Sequence, residues 1–240
     1  MSPMETFNPY QVGSVSQQPA ETRADFVRKT YWHLAMALGA FALLEAVLLQ
    51  SGLGTAALQL VSSGRFTWLM VLGGFMVVGW LASRLAYSGA SPAMQYLGLG
   101  LYVVAEAVIF LPIMALAIAI TGGPAILGQA AVLTGALVLG LTTVAFTTRK
   151  DFSFLGGILK IGGFIALGLI AASFFLPISL GMWFSVAMVV FAGGAVLYDT
   201  SNILHRYQPG QHVAAALSLF ASIALLLWYV LRILMSFNRN

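Results

Sequence analysis

The run GGAVLYDTSNILHRY, residues 193–207, drives one carboxylate, Asp199, into the end of an otherwise apolar helix long enough to cross a membrane. A charge within a span is costly, so an ionisable residue there marks a functional position. Upstream, the apolar run reaches back to Leu180, and runs of the same kind recur along the chain.

Composition gives the solvent. The 240 residues are 60% hydrophobic and 8% charged, with a mean hydropathy of +0.94, far from a soluble domain. Crossing a hydrocarbon core of about 30 Å takes about 20 apolar residues. Seven segments qualify: Tyr31 to Leu49, Phe66 to Leu85, Met94 to Ile120, Ala125 to Phe146, Phe152 to Leu176, Leu180 to Leu204 and Val213 to Met235. They are continuous rather than alternating, which favours helices over a membrane barrel. The expectation is an all-α, polytopic membrane protein: a seven-transmembrane-helix bundle over residues 30–240, preceded by a flexible cytoplasmic tail, residues 1–29, with Pro3, Pro9 and Pro19 and little hydrophobic periodicity. The tail lacks the features of a secretory signal, so the first helix is expected to stay as an anchor.

Lys and Arg on the loops set orientation. With the tail inside, the inner flank receives Arg23, Arg28, Lys29, Arg84, Arg149, Lys150 and Arg206, with Lys160 near it; the outer flank receives Arg65, Arg232 and Arg239. Eight against three places the N-terminus in the cytoplasm and, after seven crossings, the C-terminus outside. The sequence pI near 9.6 follows from a basic flank beside anionic lipid, not from nucleic-acid binding. The absence of cysteine removes disulfides, thiol catalysis and thiolate metal sites.

Of seven acidic residues, Glu5, Glu21, Asp25 and Asp151 lie in the tail or the loop before the fifth span. On the face of Asp199 lie Ala192, Ala195 and Asn202, and the last span offers a matching stripe of Ala215, Ser218 and Ser222. Small residues let those helices approach, and the hydroxyls could bond a carboxylate. The alternative is that Asp199 caps a helix end near headgroup water, with Arg206 as partner; Arg84 and Asn202 are further candidates for a latch or helix-end contact. Glu45 and Glu106 fall at comparable depth, either as a neutral hydrogen-bonded pair or as the lining of a water-filled cavity. Lys160 reads as a snorkelling side chain.

Enzymatic readings fail on spacing. Tyr198-Asp199 resembles half of an intramembrane aspartyl dyad, but no Gly-x-Gly-Asp half exists. No His-Glu-x-x-His is present, and His33, His205 and His212 are too dispersed in sequence for a metal site. No phosphate-binding Gly-Lys-Ser/Thr loop occurs, and no cofactor is called for.

GGAVLYDTSNILHRY followed by AALSLFASIALLLWYVLRIL resembles the last two helices of the Bax-inhibitor membrane family, and TTRKDFSFLGGILKIGG, residues 147–163, resembles the junction before the fifth helix in its bacterial YccA-like branch. That resemblance implies a seven-helix bundle with a central last helix in the bacterial inner membrane. It also implies two roles: modulation of the membrane-anchored protease FtsH, and a pH-sensitive calcium leak. In channel-like members an aspartate on helix six pairs with one on helix seven. Asp199 matches the first and would be the calcium contact, but Ser222 stands at the second position, as in YccA-like members. Glu106 or Glu45 would then supply any second acid. Among glycines of the fifth span, Gly156 with Gly163 and Gly157 with Gly168 are spaced for close crossings, and Pro112 predicts a kink or opened backbone after Glu106.

Overall fold

The computed structural model describes residues 13–88, 91–148, 150–176 and 179–238. Expectations for residues 1–12, Arg149 and Arg239 fall outside the described residues. Among the described residues eight α-helices form: α1 Ala20–Gln50, α2 Leu53–Ser62, α3 Arg65–Ala86, α4 Pro92–Thr121, α5 Ala125–Thr148, α6 Leu155–Phe175, α7 Met182–His205 and α8 His212–Phe237. Seven are long and apolar enough to span a membrane. The exception, α2, is ten residues long, too short to cross about 30 Å at 1.5 Å per residue.

Local chemistry sets the boundaries. Gly52 adopts a left-handed φ of 82° and separates α1 from α2, a conformation that costs glycine little. At the start of α4 the Ser91 hydroxyl accepts the Met94 amide and Pro92 occupies the first turn, and at its end Gly122 has a φ of 73°; each device suits that helix end. α4 runs unbroken through Pro112. Ile109 to Met114 around it are all buried, so neighbouring helices hold the turn that lacks the Pro112 amide donor.

The start of α1 also differs from expectation. Helix begins at Ala20 rather than near Tyr31, because Phe26 and Thr30 pack into the core while Asp25 pairs with Arg28 at 2.6 Å and Lys29 at 2.8 Å on the exposed side. Before it, Val15 is buried and its amide donates to the Tyr207 carbonyl at 2.7 Å. Residues 13–29 are thus part of the fold.

α8 lies at the centre. Leu219, Phe220, Leu226 and Leu231 have no exposed surface, and α1, α3, α4, α5 and α7 all pack on α8. Phe220 meets Phe41 and Tyr102 edge-on at 6.0 and 6.1 Å. Bulky apolar residues on α3, α6 and α7, such as Trp80, Phe164 and Val190, instead face outward, as lipid-facing positions should. α3 and α4 cross most tightly at Gly98, where a Cβ would stand 2.6 Å from the Ala82 carbonyl oxygen. On α6, Gly156 abuts the Tyr198 ring and Gly163 lies near Phe191, while Gly157 and Gly168 face open space. The second glycine pair therefore does not form a crossing; Gly162, against Phe191, does.

One end of the bundle gathers the start of α1, the end of α3, the α5–α6 connection and the α7–α8 connection. Tyr87 and Tyr207 hydroxyls meet there at 2.9 Å, and the Phe152 amide donates to Ser201 Oγ at 2.9 Å. Arg23, Arg28, Lys29, Arg84, Lys150 and Arg206 belong to this end, whereas Arg232 contacts the Leu180 carbonyl at the other. Single cysteines replacing Gln17 and Gln208 in this cysteine-free chain should therefore label from one side of the membrane and one replacing Asn238 from the other. Labelling of Gln208 and Asn238 from the same side would contradict seven crossings.

Candidate functional site

Ala192 on α7 and Ala215 on α8 are fully buried, so the two backbones come close and polar residues of the same stripes meet. The Ser222 hydroxyl donates to Asp199 Oδ2 at 2.5 Å, a charge-assisted geometry when the carboxylate is ionised. One turn earlier on α8, Ser218 Oγ accepts from the Tyr207 hydroxyl at 3.2 Å and lies 2.8 Å from that of Tyr87. The two tyrosine rings stack at 6.4 Å. The hydroxyls of Tyr87, which is exposed, Tyr207 and Ser218 thus form one connected group, one helical turn along α8 from the separate Ser222–Asp199 pair.

Beyond Ser222 lies a cavity of about 660 Å³, bounded by α3, α4, α6, α7 and α8. Ser222 and Glu106 both line it, and Tyr102, one turn before Glu106, interacts with that carboxyl group. Asp199 sits behind Ser222 rather than in the wall. Glu45 is elsewhere: it is buried in α1, both its carboxyl oxygens lack a hydrogen-bond partner, and it lines neither this cavity nor a second one. The expected hydrogen-bonded pair of Glu45 and Glu106 is therefore not formed.

The basic candidates do not reach Asp199. Among the described residues, salt bridges are confined to Asp25. Arg84 lays its guanidinium over the Trp80 ring at 4.8 Å. Arg206 is exposed and acts electrostatically on Asp151, whose carboxyl is held below its ordinary range first by the Ser153 amide and then by the Ser153 hydroxyl, Arg206 and His205. Asn202 is buried, its Oδ1 unpartnered, and its carbonyl accepts the amides of Arg206 and Tyr207. Lys160 is exposed, as a snorkelling residue should be.

Sequence reasoning missed two clusters. Tyr87 and Tyr207 come from connections 120 residues apart. His33 and His212, with ring centroids 5.0 Å apart, share a site with Tyr96, whose hydroxyl is 3.2 Å from His33 Nε2. The only sequence signal was that each lies at the same predicted flank. No group of three or more His, Cys, Asp or Glu side chains gathers among the described residues.

A lone carboxylate with a bound hydroxyl can take up and release a proton, or contact a passing cation. Calcium takes six to eight oxygens, and Asp199 with Ser222 offers at most three, so the pair suits transient contact better than tight binding.

The family profile described as "Inhibitor of apoptosis-promoting Bax1" matches residues 23–239. Protein LIFEGUARD 4 of Arabidopsis thaliana is 31% identical over 210 residues, 85% of this chain and 81% of that protein. Two bacterial relatives match over shorter regions: PA2604 of Pseudomonas aeruginosa, an uncharacterized protein, is 34% identical over 47% of this chain and 50% of its own length. YccA of Escherichia coli strain K12, named as a modulator of FtsH protease, is 36% identical over 37% of this chain and 44% of its own length. These two alignments span about half of each relative or less. With seven apolar spans packed about a central last helix, the chain belongs to the Bax-inhibitor family of multi-pass membrane proteins.

Proposed function

We propose that this protein is an inner-membrane regulator of membrane-protein quality control that binds the ATP-dependent protease FtsH. The observation that carries this reading is the Ser222–Asp199 hydrogen bond: a serine occupies the place where channel-like members resemble one another in carrying a second aspartate. The similarity to YccA supports it. So does the anchoring of Val15 to Tyr207, at the end of the bundle where the basic flank predicts the cytoplasm.

Unfolding proteases engage accessible chain ends. Deleting residues 1–12 should therefore lengthen the protein's lifetime in cells that contain FtsH, while a cut through Thr22 would also remove the Val15 anchor and the first turn of α1. Pulse-chase decay together with affinity co-purification checks this. An unchanged lifetime without co-purification would remove the proposal.

A second reading, a pH-sensitive cation leak, is favoured by the Ser222–Asp199 pair and by Glu106, which lines the same cavity as Ser222. In it Asp199 is the carboxylate that meets a calcium ion or proton.

A further inference from the structure

The cavity that Ser222 and Glu106 line has a second end. About 15 Å further along α8, at 1.5 Å per residue, it reaches Arg232, which also lines a neighbouring cavity of about 450 Å³. Trp68 and Trp228 border both cavities and stack on each other at 6.0 Å. Arg232 is half-buried, donates one hydrogen bond to the Leu180 carbonyl at 3.0 Å, and lies 5.8 Å from the Tyr229 ring. No carboxylate pairs with it among the described residues. A guanidinium has five donors in a planar fork, so most of this one's capacity is unspent.

We infer that this pair of cavities binds one anionic phospholipid, its phosphate on Arg232 and an acyl chain in the larger cavity. Four features converge. Both volumes fall in the range of about 300–1,000 Å³ usual for ligand sites. The larger cavity is walled by Phe110, Leu225 and Trp228, which suit a hydrocarbon chain. Its α3–α6 side is the lightly packed one facing lipid, because α6 packs extensively on α7 and not on α3. Arg232, which lines both cavities, supplies the complementary charge, and a guanidinium fork suits phosphate; the smaller cavity adds the hydroxyl-bearing Ser185 and Ser236 around a headgroup.

Glu106 and Ser222 line the far end of the larger cavity, so a chain there keeps water away from both. The inference stands apart from the protease reading and does not depend on it.

Native mass spectrometry of the full-length protein, purified in detergent and offered equal phosphatidylglycerol and phosphatidylcholine, tests the site. Phosphatidylglycerol should be retained at one molecule per chain in preference to phosphatidylcholine. Arg232→Gln should weaken that retention about tenfold or more, since it removes a charge-assisted contact, and Arg232→Lys should restore part of it. Ala221→Trp, which fills the larger cavity without touching the charge, should also abolish retention and decides the matter if Arg232→Gln does not fold. Equal retention of the two lipids, preferential retention of free oleate over phosphatidylglycerol, or retention unchanged in Arg232→Gln or in Ala221→Trp would overturn the inference.

Discussion

Gly98→Ala is expected to lower the thermal stability of the purified protein more than any other single-methyl insertion in α4. The added carbon would stand 2.6 Å from both the Ala82 carbonyl oxygen and the Ala86 amide nitrogen, and 3.0 Å from Leu85 Cβ. The first two obstacles are backbone and cannot rotate away. Ala82 and Ala86 are themselves almost without exposed surface, so α3 and α4 would have to separate along a crossing where neither has slack. Overpacking of a tight interface costs about 1–3 kcal/mol, and a clash with backbone belongs at the upper end. Gly100, two residues on, provides the control because nothing lies within 4 Å of its Cβ position. Gly100→Ala should be neutral or slightly stabilising, as alanine is the better helix former. Equal melting temperatures for the two variants would show that the α3–α4 crossing is not tight.

Removing the hydroxyl opposite Asp199 should have the next largest effect. Ser222→Ala leaves Oδ2 of Asp199 without its 2.5 Å donor, and an unsatisfied buried acceptor costs about 1–3 kcal/mol, more when it is charged. Asp199→Asn separates charge from shape. An amide retains size and an oxygen that can accept from Ser222, but it cannot supply the hard anionic oxygen that calcium favours. If Asp199 meets passing cations, Asp199→Asn should abolish or deregulate calcium release from liposomes while leaving the fold intact. Ser222→Asp should make flux respond more steeply to pH, because two carboxyl groups at that distance compete for protons. Flux that is absent at every pH, or equal in the native protein and Asp199→Asn, would leave the pair as a structural contact between α7 and α8.

The seven spans were readable because each is an apolar run of bilayer length, a signal that needs no knowledge of neighbours. Their ends were read less well at α1, where Glu21, Arg23, Asp25, Arg28 and Lys29 resemble a solvated tail although Phe26 and Thr30 lie on a buried face. α2 was missed because ten residues after a glycine resemble a loop between spans. The Asp199–Ser222 contact was legible, since small residues repeat on the same face of both helices and bring those faces together. Tyr87, Tyr207, His33 and His212 were not. Each stands alone in its own segment, and only the packing of distant helix ends against α8 brings them into contact. Glu45 and Glu106 show the limit of depth as a guide: equal distance along two helices does not bring two side chains to the same face.

Reconstitution of this protein with FtsH in proteoliposomes, with degradation of a membrane substrate followed over time, tests the central proposal most directly. The proposal predicts that adding the protein changes the rate of degradation and that the two co-purify after the vesicles are dissolved. An unchanged rate with no co-purification would contradict it, whether or not the same vesicles release calcium.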